Sequence, residues 1–295
     1  MTSPIVTSTL TKHYGSFPAL VDLDLDVHAG EVFGFLGPNG AGKSTAIRVL
    51  MGELNPTSGS ATVLGAPPRE VEHRRRLGYL PADLALWPGM TGRDTLKFFA
   101  SLRGGVEWGF VDELAERLDA VLDKRVGELS TGNRQKVGLI AAFMHKPDLL
   151  ILDEPNSGLD PLVQHEFWKM MREVADDGRT VFLSSHTLSE VERVADRVGI
   201  IRKGHLITVE AVAGLRRKRM RRIEIDFDGI LQREDLDGVA GVRDVDLHPD
   251  RLLLDFDGDM EDLLGAVSPR VRIRDLHTQE ADLEDIFLAY YKDES

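Results

Sequence analysis

Gly37-Pro38-Asn39-Gly40-Ala41-Gly42-Lys43-Ser44-Thr45 follows a short apolar segment, residues 31–36 (EVFGFL), and opens a helix-like stretch over residues 43–51. The quoted residues satisfy GxxxxGK[ST], and they do so between a strand and a helix, the context that a phosphate-binding loop requires. Glycines let consecutive backbone N–H groups converge on phosphate oxygens, and the helix N-terminus adds the positive end of its dipole. In such a loop Lys43 reaches the β- and γ-phosphates of a nucleoside triphosphate, and the Ser44 hydroxyl serves Mg2+.

Working outward, a second apolar run (149–152, LLIL) ends in Asp153 and Glu154, and a third (180–183, TVFL) ends in Ser184, Ser185 and His186. Short runs buried on both faces and separated by helical segments read as parallel strands of an α/β sheet. Polar residues at their carboxyl ends lie where open α/β sheets bind ligands. Neighbouring side chains on a strand point in different directions, so Asp153 suits the Mg2+ shell while Glu154 suits polarising a water for in-line attack on the γ-phosphate. Residues 90–145 carry mainly helical periodicity, for example Leu114, Leu118, Val121 and Leu122 in DELAERLDAVLDK (112–124), and read as a helical subdomain inserted over about 83–145. Beyond residue 215 the texture changes. RRKRMRR (216–222) precedes alternating IEIDF, a short helix, VRDVDLHPDRLLLDF as a hairpin around His248-Pro249-Asp250, another helix and VRIRDL. The order β-α-β-β-α-β, closed by a helix over 283–291, reads as a small ferredoxin-like α+β domain. The expected division is therefore 1–215 for the phosphate-loop domain and 216–295 for an accessory domain.

At this point residues 5–210 resemble the ATP-binding subunits of ABC transporters, with motifs in that family's order. Leu129-Ser130-Thr131-Gly132-Asn133-Arg134-Gln135 looks like the signature motif, Ser157-Gly158-Leu159-Asp160 like the D-loop, His186 like the switch histidine, and Tyr14 like the aromatic that stacks on adenine. The resemblance implies the P-loop NTPase fold, ATP hydrolysis, and ATP with Mg2+ as cofactors. ATP would be bound by Tyr14 and by Gly37 to Thr45 of the loop. Ser130, Gly132, Asn133 and Asp160 would approach the nucleotide of a second copy, with Ser44 and Asp153 on the metal and Glu154 and His186 catalytic. It further implies a homodimer or pseudo-dimer in the ATP-bound state and a membrane-spanning permease on a separate chain, with this subunit on the cytoplasmic face of the membrane. Leu283-Glu284-Asp285-Ile286-Phe287-Leu288 resembles the ending of ATPases that serve exporters of drugs, antibiotics and polysaccharides. One departure stands out: where the family places a glutamine after the strand LGYL (77–80), this chain reads Pro81-Ala82-Asp83. Ala82 has no polar group to offer Mg2+ or water. Asp83 either substitutes through water or is a solvated loop acid.

Composition bounds the alternatives. A net charge of −13 over 295 residues gives no global attraction to nucleic acid, and the absence of cysteine excludes disulfides, thiolate metal sites and cysteine nucleophiles. No apolar run approaches the roughly 20 residues that cross a bilayer, and the N-terminus carries no secretory pattern. The rival function is a soluble ABC ATPase acting on nucleic acid or ribosomes. The single cassette and the lack of a long coiled coil between loop and signature stand against it, so no nucleic-acid partner is expected. A regulatory module without catalysis is suggested by Ala82 and opposed by Glu154. The basic run reads as a solvated linker, with anionic lipid or nucleic acid as the other reading.

Overall fold

The computed structural model describes residues 3–217 and 221–280. The helix expected over 283–291, with its LEDIFL ending, and the middle of the basic run lie outside the described residues. The chain forms two compact units, Met1–Val212 and Ala213–Ser295, against the 215/216 division expected from texture.

In the first unit, β1 (Ile5–Tyr14), β2 (Phe17–Val27), β3 (Val32–Leu36), α1 (Lys43–Leu50), β4 (Ser58–Val63) and β5 (Leu77–Leu80) lead into α2 (Gly92–Leu102), α3 (Trp108–Arg117) and α4 (Thr131–Phe143). Then follow β6 (Leu149–Asp153), α5 (Pro161–Asp176), β7 (Thr180–Ser185), α6 (Leu188–Val194), β8 (Arg197–Arg202) and β9 (His205–Ala211), and α7 (Val212–Arg217) begins at the last residue of this unit. The main sheet runs β5-β6-β7-β3-β8-β9, parallel except for the β8–β9 hairpin, and a smaller antiparallel sheet runs β2-β1-β4. Every residue of β3, β6 and β7 is buried, as continuous apolar runs between two layers should be. Phe33, Phe35, Ile47, Leu50, Phe182 and Ile201 pack with Leu10, Leu20 and Val27 into one core that holds α1 between the sheets. At about 1.5–3 kcal/mol for each large apolar side chain removed from water, this core sets the position of the loop that precedes α1.

The helical segment differs from its sequence pattern at one point. Periodicity extends the α3 helix through Leu122, yet it ends at Arg117 with Leu118 as its C-cap, because Asp119 takes a left-handed φ of 49°. The Ala120 N–H then bonds the Ala115 carbonyl and the Asp119 N–H bonds that of Glu116. This is a Schellman closure with aspartate in the place where glycine is usual. Leu118 and Leu122 stay buried while Val121 is 45% exposed. Arg117, on the last turn of α3, ties this segment to α5 through bonds to Glu166 (2.7 Å) and both oxygens of Glu173 (2.7 and 2.8 Å). Its bond to Arg117 holds the Glu166 carboxyl below the ordinary range.

In the second unit, β10 (Arg221–Gly229), a 3-10 turn (Arg233–Leu236), β11 (Val242–Leu247), β12 (Arg251–Phe256), α8 (Met260–Val267) and β13 (Val271–Glu280) form an antiparallel sheet of order β11-β12-β10-β13. In that unit's own numbering the order is 2-3-1-4, the ferredoxin-like arrangement. The first helix of the pattern is reduced to a single 3-10 turn. Ile223, Ile225, Phe227, Leu252, Leu254, Phe256, Leu263 and Val267 form its separate core.

Past the end of α4, the His145 Nε2–H donates to the Leu77 carbonyl at 2.9 Å, which fixes the tautomer because a carbonyl only accepts. Burial, followed by the nearby Arg103 cation, pushes this imidazole from 6.5 down to about 4. The unfolded chain takes up that proton near pH 6.5, whereas the folded chain resists until about pH 4. The stabilisation is therefore complete above 6.5 and is lost as pH falls through that window. His145→Gln should remove about 1–2 kcal/mol of the stability lost between pH 7 and pH 5, read as a smaller drop in melting temperature than the parent shows over that interval.

Candidate active site

The phosphate loop leaves β3 at Leu36 and enters α1 at Lys43. Gly42 adopts φ 112°, and a Cβ there would lie 2.6 Å from the Ala19 carbonyl, so both conformation and packing require glycine. The Gly204 N–H, from the β8–β9 turn, bonds the Ala41 carbonyl at 2.8 Å and braces the loop from beneath. Pro38, Asn39 and Gly40 are exposed at its crest, and Thr45 is half-buried in the first turn of α1.

Lys43 is buried. Its ammonium donates to the Gly37 carbonyl at 2.6 Å and to that of Pro38 at 3.3 Å, and it lies 3.2 Å from Glu154 Oε1. The other Glu154 oxygen is 2.8 Å from His186 Nδ1, so Lys43, Glu154 and His186 form one connected chain. The sheet order explains the meeting. β6, β7 and β3 are neighbours running the same way, so their carboxyl ends deliver Glu154, His186 and the loop to one edge. Glu154 itself has φ 50°, a left-handed turn that directs it off the end of β6.

Asp153 is 2% exposed and accepts a short hydrogen bond from the Ser184 hydroxyl. With Ser44 it lines a groove of about 1100 Å³ that also includes Tyr79, Ala82, Asp83, Arg74, Arg75 and Arg103. Asp83 is exposed, and among the described residues no hydrogen bond or ion pair engages it, whereas Glu53 in the same groove is tied to Arg48. Among the described residues no cluster of three or more His, Cys, Asp or Glu is placed to hold a metal. One hydroxyl and one carboxylate beside a phosphate loop nevertheless suit Mg2+, which keeps most of its waters and takes its remaining oxygens from phosphate.

The signature segment lies elsewhere. Ser130 caps α4 by accepting the Asn133 N–H at 3.2 Å, and the exposed hydroxyl can still donate outward. A Cβ on Gly132 would lie 2.4 Å from the Gly158 carbonyl, so a glycine is needed there by the D-loop of the same chain. Gln135 donates to the Pro155 carbonyl at 3.0 Å and links α4 to the segment just after Glu154. Asp160 caps α5 through the Val163 N–H at 3.1 Å. Asn133, expected to approach the nucleotide of a second copy, is engaged within its own chain. It is buried, with Oδ1 accepting from the Val121 N–H and Nδ2 donating to the Val121 carbonyl, both at 2.7 Å, so it braces the irregular chain that follows α3. Among the described residues no hydrogen bond joins Ser130, Thr131 or Gly132 to the chain's own phosphate loop. Tyr14 is 44% exposed at the end of the β1–β2 hairpin, opposite the exposed Phe17, with the Lys12 ammonium 5.5 Å from its ring centre. The sequence marks Ser184 only as one of three polar residues ending the third apolar run, and it does not mark Phe17. Ser184 shows its importance only through its strand neighbour, and Phe17 could have been found as the cross-strand partner of Tyr14.

Comparison with known proteins gives concordant results. A family model described as ABC transporter matches residues 20–157. The bacitracin transport ATP-binding protein BcrA of Bacillus licheniformis is 33% identical over 98% of this chain and 97% of its own length. The Nod factor export ATP-binding protein I of Burkholderia lata is 33% identical over 97% and 96%. Among solved structures, one described as the ATP-binding subunit of an ABC transporter has a TM-score of 0.66 at 30% identity, covering 73% of this chain and 93% of that one. The dimeric post-hydrolysis state of the cassette MJ0796 bound to ADP and Pi shares the fold at TM-score 0.64 and 20% identity, covering 70% and 98%.

Two substitutions check this geometry. A charge-assisted bond from the Lys43 ammonium to phosphate is worth about 2–3 kcal/mol, so if the loop holds ATP through it, Lys43→Ala should lower ATP affinity on the order of 100-fold in equilibrium titration. Asp83→Ala should lower steady-state ATP turnover by on the order of tenfold, the worth of one water-mediated contact, with affinity little changed. Parent turnover in Asp83→Ala would return Asp83 to the role of a loop acid.

Proposed function

The chain belongs to the ATP-binding subunits of ABC transporters and is an ATPase of that family, and from that premise we propose that it drives an exporter of drugs, antibiotics or other amphiphilic compounds by ATP-dependent closure of two copies. The export reading is supported by relatives named for bacitracin transport and Nod factor export that match it over nearly its whole length. The observation that carries the mechanism is the connected chain Lys43–Glu154–His186 beside the buried Asp153.

In this reading the loop amides and Lys43 hold the phosphates, Tyr14 stacks on adenine, and Ser44 and Asp153 hold Mg2+. The bound metal would neutralise charge developing on the phosphate oxygens. Lys43 is satisfied by two carbonyls and Glu154, so an arriving γ-phosphate exchanges for those partners and releases a Glu154 oxygen toward water. Glu154 then accepts a proton from the attacking water while His186 holds its other oxygen. The exposed Ser130 hydroxyl, which accepts the Asn133 N–H as the cap of α4, keeps its own proton to donate, and in this reading it donates to the nucleotide of the second copy. The accessory domain, taken as 216–295, would adjust dimer stability or permease pairing. The groove beside Ala82, which has an arginine-bearing rim, is where a separate permease chain at the cytoplasmic face of the membrane would sense the nucleotide.

Light scattering with ATP and with ADP tests the shared site. Glu154→Gln retains shape while removing the base, so a dimer should accumulate with ATP and not with ADP. Adding Ser130→Arg to that variant should leave ATP binding near normal and return the protein to monomer. Equal dimerisation of the double variant contradicts the two-copy arrangement.

A further inference from the structure

Ser184 sits at the carboxyl end of β7, directly opposite Asp153 of β6 in the parallel register, and is fully buried. Its hydroxyl makes two bonds at once. It donates to Asp153 Oδ1 and accepts the Glu154 N–H at 3.1 Å. The direction of both follows from valence, since an amide N–H only donates and the hydroxyl has a single proton, which must therefore lie toward the carboxylate. We propose that Ser184 is a positioning residue for hydrolysis: one hydroxyl sets the rotation of the metal-side carboxylate and the backbone turn that aims Glu154.

The first effect concerns Asp153. With Oδ1 held by a buried donor, rotation of the carboxylate is restricted, and Oδ2 carries no hydrogen bond among the described residues that would compete for a cation. The second concerns Glu154. Its φ of 50° is unfavourable for a residue with a side chain, and such a conformation persists only where the surroundings over-determine it. The bond from its N–H to Ser184 is one such constraint, and the side-chain bonds to Lys43 and His186 are the result of the aim it imposes. The next residue, Ser185, has a different task. Its hydroxyl is spent on Glu190 at 2.7 Å, and its carbonyl accepts the Gly37 N–H at 3.2 Å. Two adjacent serines thus serve two different elements, and only Ser184 touches both acidic residues.

The inference rests on Asp153 and Glu154 acting as proposed above. The full chain is therefore assayed as Ser184→Ala and Ser184→Thr beside Asp153→Asn and Glu154→Gln, following ATP turnover against ATP and Mg2+, equilibrium ATP binding and melting temperature. Ser184→Ala should lower kcat on the order of tenfold or more, shift half-saturation by Mg2+ severalfold upward, and leave KM for ATP within about twofold. Ser184→Thr keeps the hydroxyl and should recover most of the loss. Parent kcat and Mg2+ dependence in Ser184→Ala overturn the proposal, as does an equal defect in a Thr variant that keeps the parent melting temperature. If the Ala or Thr side chain prevents folding, Ser184→Cys, nearly isosteric but a weak donor, should reproduce the kcat loss, and parent activity in that variant is the contrary result. Activity surviving in Asp153→Asn and Glu154→Gln would instead refute the underlying assignment and not the role of Ser184 alone.

Discussion

The buried ammonium of Lys43 is the constraint around which the first unit is arranged. A cation out of water costs several kcal/mol unless its protons find acceptors. Here they find the Gly37 and Pro38 carbonyls and the Glu154 carboxylate. The carbonyls come from the loop's own curl, which needs glycine at position 42. The carboxylate comes from a different strand, and it arrives only because β6 and β3 flank β7 in one parallel sheet. Fold and site are therefore the same problem: strands that bury both faces must end in polar residues, and a parallel arrangement collects those ends.

A second set of contacts joins this centre to the helical segment. Gln135 reaches the Pro155 carbonyl, Gly132 lies against Gly158, and Arg117 ties α3 to α5. The residue after Glu154, the D-loop and the signature helix are thus in physical continuity within one chain. A change at Glu154 has a short mechanical route to the surface that carries Ser130. Ala82, which lines the same groove as Ser44 and Asp153, has no polar side chain, and the exposed Asp83 beside it makes no hydrogen bond or ion pair among the described residues.

Much of this was legible in the sequence because it is written in local chemistry. The phosphate loop, the strands ending in Asp153-Glu154 and Ser184-Ser185-His186, and the alternating strands around His248-Pro249-Asp250 each carry their signal within about ten residues. What escaped depends on partners distant in sequence. Asn133 sits in a motif that suggests a nucleotide contact, and its bonds to the backbone of Val121, twelve residues away, are not visible in that motif. The end of α3 was hidden because Asp119 makes a left-handed turn for which the sequence shows no glycine. Ser184 is one serine among many until β7 is laid beside β6.

The central claim is that Glu154 acts on the attacking water and contributes little to holding ATP. Single-turnover hydrolysis measured beside equilibrium ATP affinity in Glu154→Gln tests it most directly. The account predicts affinity within a few-fold of the parent and a hydrolysis rate lower by on the order of 100-fold or more, the scale of a lost general base. Hydrolysis at the parent rate, or a loss explained entirely by weaker ATP binding, would contradict it.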